Sequence, residues 1–134
     1  MAHANLKIDN AQFIVTMDSD RKIIRDGSIL VEGQRISCVD KSTELEGVTA
    51  NRVIDARDMV VTPGFINGHL HVSYAHATRG IFPDDLKRMD YLSRVFALQG
   101  AMNEEEEYHT ALLAITELLK SGTTCFLDPG TTKF

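Results

Sequence analysis

The sequence predicts an α/β protein in which a run of short strands precedes a strand–helix–helix–strand unit. Residues 1–62 hold short apolar runs with turn signals every 8–12 residues, which is typical of a small β-sandwich or open barrel. Between residues 83 and 120, apolar side chains recur at helical spacing, and β-branched runs stand on either side of that region. The two parts are predicted to meet at Pro63, so that residues 63–134 form the second one.

The composition of the 134-residue chain indicates a globular protein and argues against several kinds of partner. Hydrophobic residues make up 43% and charged residues 25%. The net charge of −5, without a Lys/Arg cluster, argues against nucleic acid and anionic membranes as partners. No apolar run reaches the ~18 residues of a membrane span, and residues 1–5 lack a signal-peptide pattern. Cys38 and Cys125 lie in apolar runs without CxxC spacing, which predicts buried free thiols in a cytoplasmic protein.

Residues 1–62 are predicted to be the N-terminal part of a β-sandwich domain. The polar stretch 40–51 is predicted to be a loop. No cluster of side chains in this region has the composition of a catalytic site, so the prediction is a structural domain. Three two-residue turns between paired strands are predicted at Asp26-Gly27, Gly33-Gln34 and Arg57-Asp58.

The most informative stretch is Pro63–His71, where two histidines stand two residues apart at the end of an apolar run. Side chains alternate along a strand, so a strand over 64–71 would turn His69 and His71 to the same face. Their Cα atoms would lie about 6.5–7 Å apart, a span across which two imidazoles can share one divalent metal ion. H-x-H pairs also occur by chance, so the spacing alone leaves metal binding and coincidence both open.

This stretch reads PGFINGHLH and resembles the P-G-F-I/V-N/D-x-H-x-H signature of the amidohydrolase superfamily. The likeness is to the branch of aminohydrolases and chlorohydrolases, which includes cytosine, guanine and S-adenosylhomocysteine deaminases and triazine hydrolases. The resemblance implies a (β/α)8 metallo-barrel, or TIM barrel, whose first strand, helices and second strand are residues 63–134. It also implies that 1–62 contribute to a composite β-sandwich. His69 and His71 become ligands of one divalent metal ion, with zinc favoured and iron as the alternative.

The loop after His71 supplies candidate substrate contacts, because active sites of such barrels lie at the C-terminal ends of the strands. The resembling enzymes often carry an Arg-Gly pair here, and Arg79-Gly80 matches it with a spacing one residue longer. Tyr74 offers an aromatic face, and Arg79 offers donors for an exocyclic oxygen or a carboxylate. His76 is interpreted as a loop residue in preference to a third metal ligand.

Two helices are predicted after this loop. The first opens at Pro83 and stops at Gly100, and the second follows Asn103 as its N-cap. Gln99 stands between them, where the resembling enzymes can place a substrate-contacting Gln or Glu; an exposed terminal amide is the alternative. The glutamates 104–107 are explained by the dipole of the helix N-terminus. The stripe expected to be buried on the second helix comprises Tyr108, Ala111, Leu112, Ile115, Leu118 and Leu119.

A short buried strand is predicted over Thr123–Asp128, parallel to the first strand of the unit because two helices connect them. Asp128 then falls at the C-terminal end of that strand. Two interpretations stay open: Asp128 orients active-site groups, or it belongs to a plain turn with Pro129 and Gly130.

Together these features predict the N-terminal part of a metal-dependent hydrolase that deaminates an amino-substituted N-heterocycle by attack of metal-bound hydroxide. The resemblance places the remaining ligands and catalytic groups on later strands, so the chain is expected to be truncated and inactive alone. The alternatives are a cyclic amidohydrolase of the hydantoinase or imidazolonepropionase kind and a non-catalytic β-sandwich module. Asn67, where hydantoinases usually have Asp, favours the deaminase. The expected partner is a small heterocyclic substrate, and homo-oligomers of the complete protein are left open.

Overall fold

The computed structural model describes residues 3–74 and 78–130 and divides the chain into two compact units, Met1–Pro63 and Gly64–Phe134. In the first unit the elements are β1 (His3–Val15), β2 (Ile23–Glu32), β3 (Arg35–Lys41), a 3-10 turn (Ser42–Leu45), β4 (Thr49–Asp55) and β5 (Val60–Val61). In the second unit they are β6 (Phe65–Asn67), α1 (Arg88–Ala101), α2 (Glu104–Lys120) and β7 (Thr123–Phe126).

The described part of the first unit forms one mixed β-sheet with the strand order β3-β2-β1-β4, and β5 also pairs with β1. The 13-residue strand β1 is long enough to pair with both β4 and β5, each of them in parallel. Strand β2 pairs antiparallel with β1 on one side and with β3 on the other. The structure therefore shows an α/β protein. Among the described residues of the first unit there is one sheet, whereas a β-sandwich requires two.

One of the three predicted hairpin turns is confirmed. Gly33 and Gln34 join β2 to β3, and the flanking residues Glu32 and Arg35 pair with each other. Gly33 has a φ angle of 58°, in the left-handed region that glycine adopts without steric cost.

The other two predicted hairpins are wrong. The pair Asp26-Gly27 lies inside β2, where Gly27 pairs with Ala11 and the strand continues through it. The chain does turn at Arg57-Asp58, but β4 and β5 each pair with β1 instead of with each other. A turn signal fixes only the local backbone and does not choose the strand partners. The 13-residue strand β1 is long enough to pair with both β4 and β5. The predicted loop 40–51 also differs, since it holds the 3-10 turn and the start of β4.

A buried polar network crosses the sheet of the first unit beside its apolar core. Lys7 is 5% exposed; its Nζ donates to the carbonyl of Leu45 at 2.9 Å and lies 3.2 Å from Oδ1 of Asp9. The buried hydroxyl of Ser28 donates to the same Asp9 oxygen at 2.6 Å and lies 2.8 Å from the hydroxyl of Ser42. The network thereby attaches the 3-10 turn to β1 and β2.

In the second unit β6 and β7 pair in parallel, which confirms the predicted strand–helix–helix–strand connection. Gly64 is required where the two strands come together, because a Cβ there would lie 2.3 Å from the Thr124 hydroxyl oxygen. The backbone ladder continues past both strands: Leu127 N–H donates to Asn67 O at 2.9 Å, and Leu70 N–H donates to Leu127 O at 3.0 Å.

The first helix begins later than predicted, and the second begins where predicted. Pro83 lies in a turn whose carbonyl accepts from Leu86 N–H at 3.4 Å, and α1 starts only at Arg88. Asn103 caps α2 in a reciprocal capping box with Glu106. No helix in the described ranges is long and apolar enough to cross a membrane.

Fewer side chains of α2 are buried than the sequence predicted. On α2, Tyr108 is 59% and Leu119 62% exposed, whereas Ala114 and Glu107 are buried. The reason is that a two-stranded sheet covers only a narrow strip of the helix packed on it.

The prediction of buried thiols is also wrong. In the second unit Cys125 on β7 is exposed, and in the first unit Cys38 on β3 is half-buried.

Candidate metal and substrate site

His69 and His71 lie beyond the end of β6, so the prediction of a strand over 64–71 is wrong for the segment that holds the histidines. The strand ends at Asn67, whose side-chain oxygen accepts a hydrogen bond from the His69 N–H at 3.1 Å. Such a local bond competes with regular strand pairing. The Leu70 N–H nevertheless donates to the carbonyl of Leu127, the residue after β7, so the histidine segment stays attached to the chain that continues from β7.

The two imidazole rings meet as the sequence spacing suggests. Their centroids lie 4.9 Å apart, and their planes are inclined by 86°. Tyr74 stacks on His71 with centroids 5.0 Å apart and planes at 22°, and its own ring contacts Phe96 edge-on at 6.3 Å. One face of Tyr74 is therefore against His71, which sequence reasoning did not foresee.

Asp128 lies next to His71, at the end of the neighbouring strand. Its Oδ1 is 3.8 Å from His71 Nδ1, and the two side chains are 18% and 22% exposed. Its Oδ2 accepts from the Val72 N–H at 3.2 Å, and its Oδ1 accepts from the Gly130 N–H at 3.0 Å. The turn that the sequence suggested is therefore present, and the same carboxylate also contacts the histidine segment. The other interpretation, that Asp128 orients active-site groups, stays a prediction.

Gln99 is buried near the C-terminal end of α1, so the alternative of an exposed terminal amide does not hold. Its Nε2 donates to the hydroxyl of Ser73 at 3.4 Å, and Ser73 is itself fully buried. Ser73 is two residues beyond His71, so this bond joins α1 to the loop that follows the histidines.

Arg79 points its guanidinium at α2. Its Nη1 lies 2.9 and 3.1 Å from the two carboxylate oxygens of Glu117, and both side chains are largely exposed. The donors that the sequence assigned to a substrate are therefore engaged by a carboxylate in this structure. His76, considered as a third ligand, lies outside the described residues.

Three further polar residues of the second unit are buried and were not singled out from the sequence: Ser73, Thr78 and Glu107. Glu107 belongs to the acidic run explained by the helix dipole, but it alone of the four is buried. The sequence offered no clear signal for this burial, because Glu107 is one of four consecutive glutamates and the other three are exposed.

The donor chemistry of His69 and His71 fits zinc, which commonly takes imidazole nitrogens and needs at least three protein ligands at a catalytic site. Within 3–74 and 78–130, no set of three or more His, Cys, Asp or Glu side chains is arranged to hold an ion. The two histidines thus fit part of a ligand set.

The sequence pattern of the Amidohydrolase family matches residues 60–133, which include both histidines and Asp128. The chain belongs to the amidohydrolase family. It is 36% identical over 118 residues to the 5-methylthioadenosine/S-adenosylhomocysteine deaminase of Caldicellulosiruptor saccharolyticus, covering 86% of this chain and 27% of that enzyme. It is 33% identical over 126 residues to the 5'-deoxyadenosine deaminase of Methanosarcina barkeri, covering 93% of this chain and 28% of that enzyme.

Solved structures of amidohydrolase-like enzymes share the fold of this chain. The atrazine chlorohydrolase of Arthrobacter aurescens, complexed with zinc, has a TM-score of 0.80 and 27% identity over 92% of this chain and 28% of its own. An adenosine deaminase of Xanthomonas campestris with bound zinc has a TM-score of 0.75 and 25% identity over 96% of this chain and 29% of its own. The chain spans a little over a quarter of the length of these relatives.

Proposed function

We propose that this amidohydrolase chain forms the N-terminal part of a zinc-dependent hydrolase that removes the amino group of an N-heterocycle. The observation that carries the proposal is the pair of imidazoles, His69 and His71, with centroids 4.9 Å apart directly after a strand of a parallel sheet. The names of relatives support it, since several are deaminases of adenosine derivatives and the two solved structures described above contain zinc.

The proposal extends to the architecture of the complete protein. The second unit would be the opening of a (β/α)8 barrel, because β6 and β7 are parallel and are joined through two helices. Its histidines follow β6 and Asp128 follows β7, at the C-terminal strand ends where barrel enzymes place their active sites. The first unit would contribute its mixed sheet to a flanking β-sandwich. Strands outside this chain would supply the remaining metal ligands and the acid–base group.

The reaction exchanges an amino group for oxygen. A zinc ion would supply water activation near neutral pH and polarise the reacting atom. A C–O bond forms from water, the C–N bond of the exocyclic amine breaks, and the leaving nitrogen departs as ammonia after taking up a proton.

Three residues of this chain are proposed to contact the heterocycle. Gln99 is the best placed of them, because it is buried and its Ser73 bond anchors it beside the histidine segment. Tyr74 would border the ring from its position against His71. Arg79 would bind an oxygen or carboxylate of the substrate on exchange of its partner Glu117, a pair exposed enough to separate at small cost.

An adenosine derivative changed at its 5' position is the substrate we favour, because the curated relatives are named for 5-methylthioadenosine, S-adenosylhomocysteine and 5'-deoxyadenosine. A chloro-triazine is the second candidate, and the chlorohydrolase among the structural neighbours is the reason to include it. A cytoplasmic location is part of the proposal, since the unpaired thiols of Cys38 and Cys125 suit a reducing compartment.

The test uses the complete protein that contains this chain, loaded with zinc. Ammonia is measured with 5'-methylthioadenosine, S-adenosylhomocysteine, 5'-deoxyadenosine, guanine, cytosine and aminotriazines, and chloride with atrazine. Hydantoin, dihydropyrimidine and imidazolonepropionate are followed in parallel by ring-opening absorbance. We expect deamination with kcat/KM above ~10⁴ M⁻¹s⁻¹ for at least one heterocycle. Ring opening at that efficiency, with no ammonia from any heterocycle, would replace the deaminase by the cyclic amidohydrolase.

A further inference from the structure

The carboxylate of Asp128 is held in place by backbone donors from two directions. Val72 N–H donates to Oδ2, and Gly130 N–H donates to Oδ1. Because the side chain of Asp128 is only 18% exposed, water has limited access to its oxygens and competes weakly with these two hydrogen bonds. The carboxylate is therefore fixed before any metal arrives.

The ring of His71 is bounded on several sides by the same part of the structure. Tyr74 stacks on its face, and His69 contacts it at a steep angle. Its Nδ1 faces Oδ1 of Asp128 at 3.8 Å, which is an ion-pair distance and longer than a hydrogen bond. A small rotation of the imidazole would shorten that separation, whereas Asp128 is already held by its two backbone donors.

A histidine that binds a metal through one ring nitrogen usually donates the N–H of the other to a carboxylate, a carbonyl or water. That partner fixes the tautomer and the ring orientation, and it makes the ligand more basic. Asp128 is a carboxylate on the Nδ1 side of His71, which leaves Nε2 as the nitrogen that would face the ion.

We propose that Asp128 is a positioning residue for His71: it accepts the Nδ1–H and, through Val72, holds the histidine segment against β7. The inference rests on the proposed function, because it requires His71 to be a metal ligand. It adds a role for a residue that would not itself touch the ion.

Asp55 provides a matched control within the chain. Its Oδ1 accepts from the backbone N–H two residues ahead, Arg57, at 3.1 Å, as Asp128 does from Gly130 at 3.0 Å. Its carboxylate, however, is paired with the Arg57 guanidinium, whose hydrogen bonds lower the pKa of Asp55 below its ordinary value. The two aspartates thus share the turn and differ in their partner.

The test measures zinc affinity of the complete protein by competition with a chelator, in the wild type and in D128A, D128N, D55A and H71A. We expect D128A to weaken zinc binding by 10–100-fold and D128N to weaken it less, because Asn keeps one acceptor but loses the charge. D55A should match the wild type. In the cobalt-substituted protein, the exchangeable Nδ1–H resonance of His71 should be present in the wild type and lost from D128A by faster exchange with water.

The outcomes separate this inference from the proposed function. Loss of zinc in H71A with wild-type affinity and an unchanged Nδ1–H signal in both Asp128 variants overturns the positioning role and leaves the metal site standing. Full zinc binding by H71A overturns both. If D128A does not fold, as judged by circular dichroism, D128N decides: affinity equal to the wild type refutes the proposal, and weakened affinity with a native spectrum supports it.

Discussion

The side-chain amide of Gln99 donates a hydrogen bond to the hydroxyl of Ser73, and both residues are buried. This bond joins the C-terminal part of α1 to the loop that begins at His71. Helix and loop therefore cannot move independently without leaving a buried hydroxyl with one partner fewer, a situation that costs about 1–3 kcal/mol.

Replacing Gln99 by Ala should raise KM more than it lowers kcat, because a residue that binds substrate and transition state alike affects KM. Steady-state kinetics of the complete enzyme on its best heterocycle provide the measurement. Ser73→Ala is the matched variant: it breaks the same hydrogen bond but keeps the amide. If both variants raise KM equally, the effect comes from the lost hydrogen bond between Gln99 and Ser73, and Gln99 makes no separate contact with the substrate. Unchanged kinetics in Gln99→Ala would place Gln99 away from the substrate.

Replacing His69 or His71 by Ala should abolish stoichiometric zinc binding while the secondary structure persists, because each removes an imidazole from a pair 4.9 Å apart. Metal content by atomic absorption and circular dichroism are the two measurements. His109→Ala is the control, since His109 is an exposed residue of α2 next to Glu105. A well-folded double variant that retains a full equivalent of zinc would refute the metal site.

Replacing Lys7 by Ala should destabilise the first unit by about 3 kcal/mol, since it leaves the half-buried Asp9 without its cation and Leu45 O without its donor. Hydrogen exchange of the β1 amides reports the loss. Lys22 is the comparison, because it pairs with Asp20 at 2.9 Å on the surface. Lys22→Ala should change stability by about 0–1 kcal/mol; equal effects of the two substitutions would contradict the structural role of the network.

Replacing Asn103 by Ala should destabilise α2 by about 1 kcal/mol, because its side chain accepts from the Glu106 N–H in the capping box. The first helix offers the converse experiment. Lys87 is the N-cap of α1 and makes no side-chain capping bond, so Lys87→Asp should stabilise that helix. Urea titration followed by circular dichroism measures both changes. A Lys87→Asp variant that is less stable than the wild type would show that capping does not limit α1.

The local parts of this protein could be predicted from the sequence because neighbouring residues decide them. Asn103 with Glu106 fixed the start of α2, Gly33 fixed a hairpin turn, and the two-residue spacing of His69 and His71 brought their rings together. The two helices between β6 and β7 favoured a parallel pair, because parallel strands need a long crossover connection that is usually helical. The family, too, follows from the stretch around the histidines.

Only the tertiary structure decided which groups come together across the chain. Three contacts join residues that are distant in the sequence: the pairing of both β4 and β5 with β1, the hydrogen bond from Lys7 to the carbonyl of Leu45, and the contact of His71 with Asp128. No local signal specifies such partners. A strand can pair with many other strands, and a charged side chain can pair with many opposite charges, so the local sequence does not choose among them. The sequence therefore determined the local turns and caps, and it predicted the histidine pair as a candidate for metal binding. The packing of strands decided that Asp128, a residue suited to a plain turn, lies against the second histidine.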